Sequence, residues 1–174
     1  MYKNDKATNI YKMKKAEFKE VINTSIDKTW EVLFNQYGDI HIHNPTMPTS
    51  KYIDNATKGE LNCSRYVTFD DKLFLEETIT EVNENKSFKV EAYNHNLPFL
   101  KDMSAIYELS SIGTDKTEVK MTSLVSTSPS FMIYLMKGQL GKGLKKHLFG
   151  LKYYLETGKT VNKDSYSEIF KNYK

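Results

Sequence analysis

The alternation of apolar and polar residues along this chain predicts a series of short strands with a helix near each end. Residues 16–24 alternate roughly as a strand does and finish in a polar run. After Ser25, a favourable N-cap, apolar side chains recur at helical spacing, so residues 25–35 are predicted as a short amphipathic helix. Gly38 is the predicted stop signal. Residues 39–48 contain two prolines and are expected to wrap one end of the domain.

Six further strand-like runs follow, separated by short polar connections of the kind that close hairpins. The runs cover residues 50–55, 62–70, 73–82, 87–94, 101–111 and 117–126. Their order along the chain predicts an antiparallel meander.

A long helix is predicted to open at Ser128 and Pro129 and to end near Gly158. Its apolar residues step by three or four positions and therefore form one continuous stripe. Four glycines interrupt this helix, and each costs roughly 1 kcal/mol relative to alanine, so close packing or room for a ligand is expected to compensate. The stripe consists of Met136, Leu140, Leu144, Leu148, Leu151 and Leu155, and the glycines are Gly138, Gly141, Gly143 and Gly150.

The size of the chain, 174 residues and 20.2 kDa, supports one hydrophobic core. We predict an N-terminal tail over 1–15, one domain over 16–159 and a C-terminal tail over 160–174. The aromatic residues of the last segment fit either a docked turn of helix or a frayed end.

The composition excludes several classes of protein. A hydrophobic share of 39% with 27% charged residues is typical of a globular domain, and the longest apolar run, 131–136, is too short to span a bilayer. The first fifteen residues carry five lysines and no apolar block, so no secretory signal is expected. Cys63 is the only cysteine, which excludes an internal disulfide. A cytoplasmic location is expected.

Charge is uneven along the chain although its net value is only +3. Residues 1–15 carry +4, residues 16–128 carry −7 and residues 129–174 carry +6. Two interpretations fit the positive charge of residues 129–174. The favoured one is a solvated lysine face on the C-terminal helix, and the alternative is transient contact with an anionic membrane surface. No nucleic-acid partner is expected, because Arg65 is the only arginine.

The order of these elements is an α+β pattern in which a curved sheet encloses space against a long helix. The chain resembles the START/SRPBCC superfamily over about residues 16–157, in SIDKTWEVL, in ELNCSRYVTF followed by LEETITEVNENKSFKVEAY, and in GLKYYLE. The resemblance implies the helix-grip fold, with about seven antiparallel strands around the C-terminal helix, as in the major birch pollen allergen and the polyketide cyclases. It carries no catalytic signature, so function has to be argued from the site.

Glu77 is the most informative polar residue of the predicted sheet. It shares a strand face with Leu75 and Ile79 and is therefore expected to point inward, where the resemblance places a cavity-facing glutamate. A buried carboxylate needs a cation, a polar ligand or water. Two roles stay open: contact with a ligand, or an ion pair with Arg65 that holds adjacent strands together.

Other candidate ligand-binding residues come from the next strand face, the helix and the loops at the expected cavity mouth. Met103 and Tyr107 share an inward face, with core packing as the alternative. Gln139, Gly143 and His147 form a row, one turn apart, beside the apolar stripe. The full set is His43, Arg65, Val67, Phe69, Leu75, Glu77, Ile79, His95, Met103, Tyr107, Met136, Gln139, Leu140, Gly143 and His147.

The resemblance also implies positions for two loops. It places His43 at the cavity mouth and His95, within NHNLP, in the position of the latch loop of the abscisic acid receptors, opposite FDDKL at the gate. The gate lacks the small residues and proline of those receptors, which argues against a hormone receptor. The alternative interpretation, that both loops are surface turns with no gating role, also stands. His41 and His43 have no carboxylate partner, so neither a metal nor another cofactor is expected.

Three functions fit this sequence. The favoured one is binding or transport of a small hydrophobic ligand, such as a lipid, a sterol-like molecule or an aromatic or polyketide metabolite, in an internal cavity that 22 aromatic residues and seven methionines could line. The alternative is a cyclase or dehydrase in which Glu77 or a histidine moves a proton and Tyr107 or Arg65 steadies an anion. The third is a regulatory module whose loops respond to a ligand. No obligate protein partner is evident.

Overall fold

Seven antiparallel strands form the sheet of the computed structural model, which describes residues 13–173. The strands pair in the order β1-β7-β6-β5-β4-β3-β2, so every strand from β2 onward lies beside its neighbour in the chain and β1 closes beside β7. The predicted meander and the α+β class are confirmed. The strands are β1 (Lys14–Ile22), β2 (Thr49–Tyr52), β3 (Ser64–Thr68), β4 (Phe74–Asn83), β5 (Ser87–His95), β6 (Leu100–Gly113) and β7 (Lys116–Thr127).

Three α-helices accompany the sheet: α1 (Ile26–Trp30), α2 (Met132–Thr157) and α3 (Tyr166–Asn172). The predicted helix over 25–35 is α-helical only in its first half. The Ser25 side chain accepts a hydrogen bond from the Lys28 N–H and caps it. Residues 31–35 then widen into a π-helical turn, in which the Gln36 N–H donates to the carbonyl of Glu31 at 3.0 Å.

The long helix α2 begins later than its sequence predicts and ends where predicted. The Thr127 hydroxyl donates to the carbonyls of Pro129 and Ser130, at 3.1 and 3.3 Å, which holds residues 128–131 in a turn ahead of the helix. At the other end Gly158 adopts φ 73°, the left-handed conformation that glycine accepts without strain, and its N–H donates to the Tyr154 carbonyl.

The main core lies between the sheet and the C-terminal half of α2. Leu144, Leu148, Leu151 and Leu155 pack there against the inner faces of β1 and β4–β7 and against α1. A second, smaller apolar cluster lies farther along the sheet around Ile40, Val67 and Leu75, with Phe69 and Met103 packed against it, and no residue of α2 belongs to it. The helix backbone comes closest to β1 and β7, so α2 crosses one side of the sheet.

The C-terminal segment forms a helix that docks on α2. Phe149 of α2 makes edge-on contacts with Tyr166, Phe170 and Tyr173, and Val161, within the connection between the two helices, is buried. Of the predicted N-terminal tail, residues 1–12 lie outside the described residues. Over 13–173, no helix is both long enough and apolar enough to cross a bilayer.

Candidate functional site

A buried ion pair joins β3 to β4 on the inner face of the sheet. Arg65 and Glu77 are direct partners in the strand register, and their side chains are 3% and 6% exposed. The Arg65 Nε and one terminal nitrogen donate to Oε1 of Glu77 at 2.8 and 2.5 Å, and the other terminal nitrogen donates to the Tyr37 carbonyl at 2.6 Å. Burial alone lowers the pKa of Arg65, but the facing carboxylate outweighs it and holds the pKa above its ordinary value. The guanidinium therefore stays charged.

A row of aromatic rings continues from this ion pair to the long helix. The Tyr107 phenol lies beside the Arg65 guanidinium, and its ring stacks on Phe88 with centroids 4.5 Å apart. The Tyr107 ring also makes an edge-on contact with His147 of α2, with ring centroids 5.9 Å apart. His147 in turn stacks on His43, with ring centroids 5.4 Å apart. Residues from five separate segments thus form one buried polar cluster, which consists of His43, Arg65, Glu77, Tyr107 and His147.

Both imidazoles of this cluster are held neutral. Burial is the main cause, and the positive charge of Arg65 adds to it: the pKa of His43 falls from 6.5 to about 3, and the pKa of His147 falls well below 6.5. Nδ1 of His43 and Nε2 of His147 are buried without a hydrogen-bond partner among the described residues. An unpartnered buried nitrogen costs about 1–3 kcal/mol, so both atoms favour the entry of water or a ligand.

Open space lies beside the cluster along the N-terminal half of α2. Gly143 precedes His147 by one turn, and a Cβ built on Gly143 would meet no atom within 4 Å apart from its own helix backbone and chain neighbours. Met136 and Leu140 share this helix face, are half-buried and belong to neither apolar cluster. The open space therefore runs along Met136, Leu140 and Gly143, one helical turn before His147, whose Nε2 is buried.

Gly150 explains why His43 reaches this helix. A Cβ on Gly150 would lie 2.1 Å from the His43 carbonyl oxygen and 3.0 Å from Pro45, so only glycine lets the segment 43–45 cross α2 this closely. Of the two compensations expected for the helix glycines, close packing is present at Gly150, whereas Gly143 meets no neighbouring atom.

Two open clefts lie elsewhere on the surface. One, of about 650 Å³, is bordered by α1 and the loop around Gly59, and the other, of about 460 Å³, by residues 53–64. Neither is lined by any residue of the buried polar cluster. The predicted internal cavity is therefore neither of these clefts.

The other predicted site residues fall into three groups. Val67, Leu75 and Ile79 are completely buried, with Phe69 and Met103 half-buried beside the first two. His95, at the end of β5, is half-buried. Gln139 is exposed; it lies about 40° around the helix from Gly143 and about 80° from the buried His147.

Tyr37 is a member of the site that the sequence did not predict. Its backbone carbonyl accepts a hydrogen bond from Arg65, and its hydroxyl donates one to the Glu77 backbone carbonyl at 3.3 Å. The centroid of its ring lies 3.9 Å from the central carbon of the Arg65 guanidinium. A carbonyl acceptor has no signature in sequence, since every residue carries one. Within residues 13–173, no group of three or more histidine, cysteine, aspartate or glutamate side chains is placed to hold a metal ion.

Comparison with known proteins identifies the fold. No protein-family model and no curated protein sequence matches the chain. Among solved structures, XoxI from Bacillus cereus matches with a TM-score of 0.65 at 15% identity, covering 83% of this chain and 97% of that one. Truncated norcoclaurine synthase from Thalictrum flavum matches with a TM-score of 0.63 at 13% identity, and the match covers 83% of this chain and 94% of that one.

A third structural match is the di-domain ARO/CYC BexL of the BE-7585A biosynthetic pathway. Its TM-score is 0.67 at 10% identity, and the match covers 83% of this chain and 47% of BexL, which is about one of its two domains. Likeness at these identities shows the fold and leaves the activity to be argued from the site. The chain shares the helix-grip fold of these solved structures.

Proposed function

We propose that the protein binds a small, mostly apolar molecule in the space along the N-terminal half of α2, with the polar end of the molecule at His147. One observation carries the proposal: the open space in front of Gly143 lies one helical turn from His147, whose buried Nε2 has no hydrogen-bond partner within residues 13–173. Such an atom is stabilised when a ligand supplies the missing hydrogen bond.

The walls of this space suit the apolar body of a ligand. Met136 and Leu140 line the helix side, and Met103 lies half-buried on the sheet near Val67 and Leu75. Methionine side chains are flexible and polarisable, so two of them let the space adapt to ligands of somewhat different shape.

The polar end of the ligand is expected to be an uncharged oxygen group. The positive charge of Arg65 is balanced by Glu77, and both imidazoles are neutral. A bound carboxylate or ammonium would therefore remain an unbalanced buried charge, which is costly. A hydroxyl or carbonyl oxygen needs only the hydrogen bond that His147 or His43 offers.

Filling the space tests this proposal directly. Gly143→Leu places a side chain in the space, and Gly138→Leu is the matched control, since Gly138 is exposed on the opposite face of the same helix and also meets nothing within 4 Å. Nile red, an uncharged apolar dye with a carbonyl group, serves as the probe in a fluorescence titration. We expect Gly143→Leu to weaken binding at least about tenfold and Gly138→Leu to bind like the parent.

A second variant tests the polar end. His147→Phe keeps a ring in the row and removes the Nε2 atom, so we expect Nile red to bind roughly tenfold more weakly for the loss of one hydrogen bond. Circular dichroism establishes that each variant is folded. Equal dye affinity in the parent, Gly143→Leu and His147→Phe would contradict the proposal.

A catalytic use of the same cluster is the second candidate function, and the neutral state of His147 favours it. A neutral imidazole can take a proton from carbon next to a carbonyl, while the Tyr107 hydroxyl beside Arg65 stabilises the enolate oxygen. Phenylacetone, an uncharged aromatic ketone, tests this chemistry. The catalytic candidate predicts protein-dependent exchange of its benzylic protons with deuterated water, detected by NMR and lost in His147→Gln. Equal exchange in both proteins would exclude a role for His147.

A further inference from the structure

Four large apolar side chains stand exposed together where α2 begins, and we name them the apical patch: Phe99, Phe131, Tyr134 and Leu135. Their exposed fractions are 49%, 60%, 69% and 69%. The loop that carries Phe99 is tied to this end of the helix, because the Ser128 N–H donates to the Phe99 carbonyl at 2.9 Å. Clustered exposure of this kind is uncommon on a soluble monomer and marks an interaction surface.

The backbone holds Phe99 outward at some cost. Phe99 adopts φ 63°, a left-handed conformation that bulky residues avoid. A strained residue persists only where surrounding structure holds it, and such residues concentrate at functional sites. The loop of residues 95–101 thus presents an aromatic ring to solvent instead of burying it.

The chain segments that carry the apical patch contain basic residues but no acidic ones. Residues 95–101 and 128–155 contain lysines but no aspartate or glutamate. Asp102, the next acid in the chain, accepts a hydrogen bond from the Ser126 hydroxyl at 2.6 Å. The Lys14 ammonium lies 5.6 Å from the Tyr134 ring centroid. The exposed lysines nearest the patch in the chain are Lys101, Lys137 and Lys142.

We propose that the apical patch docks the protein on an anionic lipid bilayer. Aromatic and aliphatic side chains surrounded by lysines suit a membrane interface, where apolar groups enter the headgroup region and lysines meet anionic lipids. A protein partner fits less well, because lysine is depleted at protein–protein interfaces. Docking does not depend on what occupies the interior of the protein. In the docked state, the N-terminal half of α2, which borders the open space, would face the lipid.

Vesicle co-sedimentation tests the docking surface. The full chain is mixed with vesicles of phosphatidylcholine alone or with about one-third phosphatidylserine, in low salt and in about 1 M salt, where charges are screened beyond ~3 Å. We expect binding to the anionic vesicles in low salt and little binding in the other conditions. Phe131→Ser/Leu135→Ser should lose at least about tenfold in binding, since both side chains enter the interface.

Charge variants and distant controls complete the test. Lys137→Gln/Lys142→Gln should weaken binding roughly twenty-five-fold, at about fivefold for each lysine. Ile112→Ser and Lys116→Gln, exposed at the far end of β6 and the start of β7, should bind like the parent. The proposal is overturned if the parent does not bind anionic vesicles, or if Phe131→Ser/Leu135→Ser binds as well as Ile112→Ser.

Discussion

The two halves of α2 carry one continuous apolar stripe but lie in different surroundings. In the C-terminal half, Leu148 and Leu151 are completely buried in the main core. In the N-terminal half, Met136 and Leu140 occupy the same helix face, yet they are only half-buried and join neither apolar cluster. Periodicity therefore predicts which face of a helix turns inward, but the depth of packing on that face depends on what the rest of the chain places opposite.

The glycines of α2 show the same difference. Gly150 is in close contact with the segment that carries His43, whereas Gly143 faces open space. A helix that is tightly packed at one end and loosely packed at the other is a suitable wall for a ligand, because the packed end holds the polar cluster in place while the other end leaves room.

The largest expected effect comes from the ion pair that anchors the packed end. Glu77→Leu leaves the Arg65 guanidinium buried without its partner, so we expect a loss of about 3–5 kcal/mol in the free energy of unfolding. Urea denaturation measures it. The double variant Arg65→Met/Glu77→Leu removes both charges and should recover most of the loss. A loss below about 1 kcal/mol for Glu77→Leu would show that the pair is not desolvated in solution.

Truncating one leucine in each half compares the two ends directly. Leu148→Ala removes a fully buried side chain and should cost about 2–5 kcal/mol of unfolding free energy. Leu140→Ala removes a half-buried side chain beside open space and should cost less than about 1 kcal/mol. Urea denaturation of both variants gives the difference, and equal costs would mean that the N-terminal half packs as tightly as the other.

Adding one methyl group to a glycine should have opposite signs in the two halves. Gly150→Ala forces a Cβ against the His43 carbonyl, so we expect stability to fall by about 1–3 kcal/mol. Gly138→Ala meets nothing and should raise stability by about 1 kcal/mol through better helix propensity. Thermal unfolding of the two variants tests the signs, and stabilisation by Gly150→Ala would rule out the close crossing.

Stability should depend on pH through the buried histidines. An unfolded His43 takes up a proton near pH 6.5, but the folded one does so only near pH 3, so the unfolded state binds more protons between these values. The contribution of His43 to the free energy of unfolding is full above pH 6.5 and is lost as the pH falls towards 3, by about 2 kcal/mol at pH 5. The lowered pKa of His147 acts in the same direction.

His147→Phe isolates the share of one imidazole in this pH dependence. Urea denaturation at pH 7 and pH 5 should show a smaller drop in the free energy of unfolding for His147→Phe than for the parent, because burial lowers the pKa of His147 in the folded state. An identical drop in both proteins would mean that His147 is already solvated or charged when folded.

The strands of this fold could be predicted because their signals are local. Alternation and turn residues define the six hairpin-connected strands, and the same alternation placed Glu77 on the inner face opposite Arg65. Of the two roles left open for Glu77, the structure shows the ion pair. The starts of α2 and of the π-helical turn were less well predicted, because they depend on side-chain and backbone hydrogen bonds that spacing does not reveal.

The assembly of the site could not be predicted because its contacts are distant in sequence. His43 meets His147 only because the segment 43–45 crosses α2 at Gly150, and that crossing has no periodic signature. The carbonyl of Tyr37 is likewise positioned by the fold alone. The sequence supplied the histidines as candidates, and only the tertiary structure shows that one nitrogen of each is buried without a hydrogen-bond partner among the described residues.

Native mass spectrometry tests the central claim, that the N-terminal half of α2 borders a ligand site, most directly. The parent, Gly143→Leu and Gly138→Leu are purified from the protein's own source organism under identical conditions, and whatever mass they carry is released by denaturation and identified. We expect one small, uncharged, oxygen-containing apolar molecule per chain on the parent and on Gly138→Leu, and none on Gly143→Leu. A bare parent, or a Gly143→Leu variant that carries the same molecule as the parent, would contradict the claim.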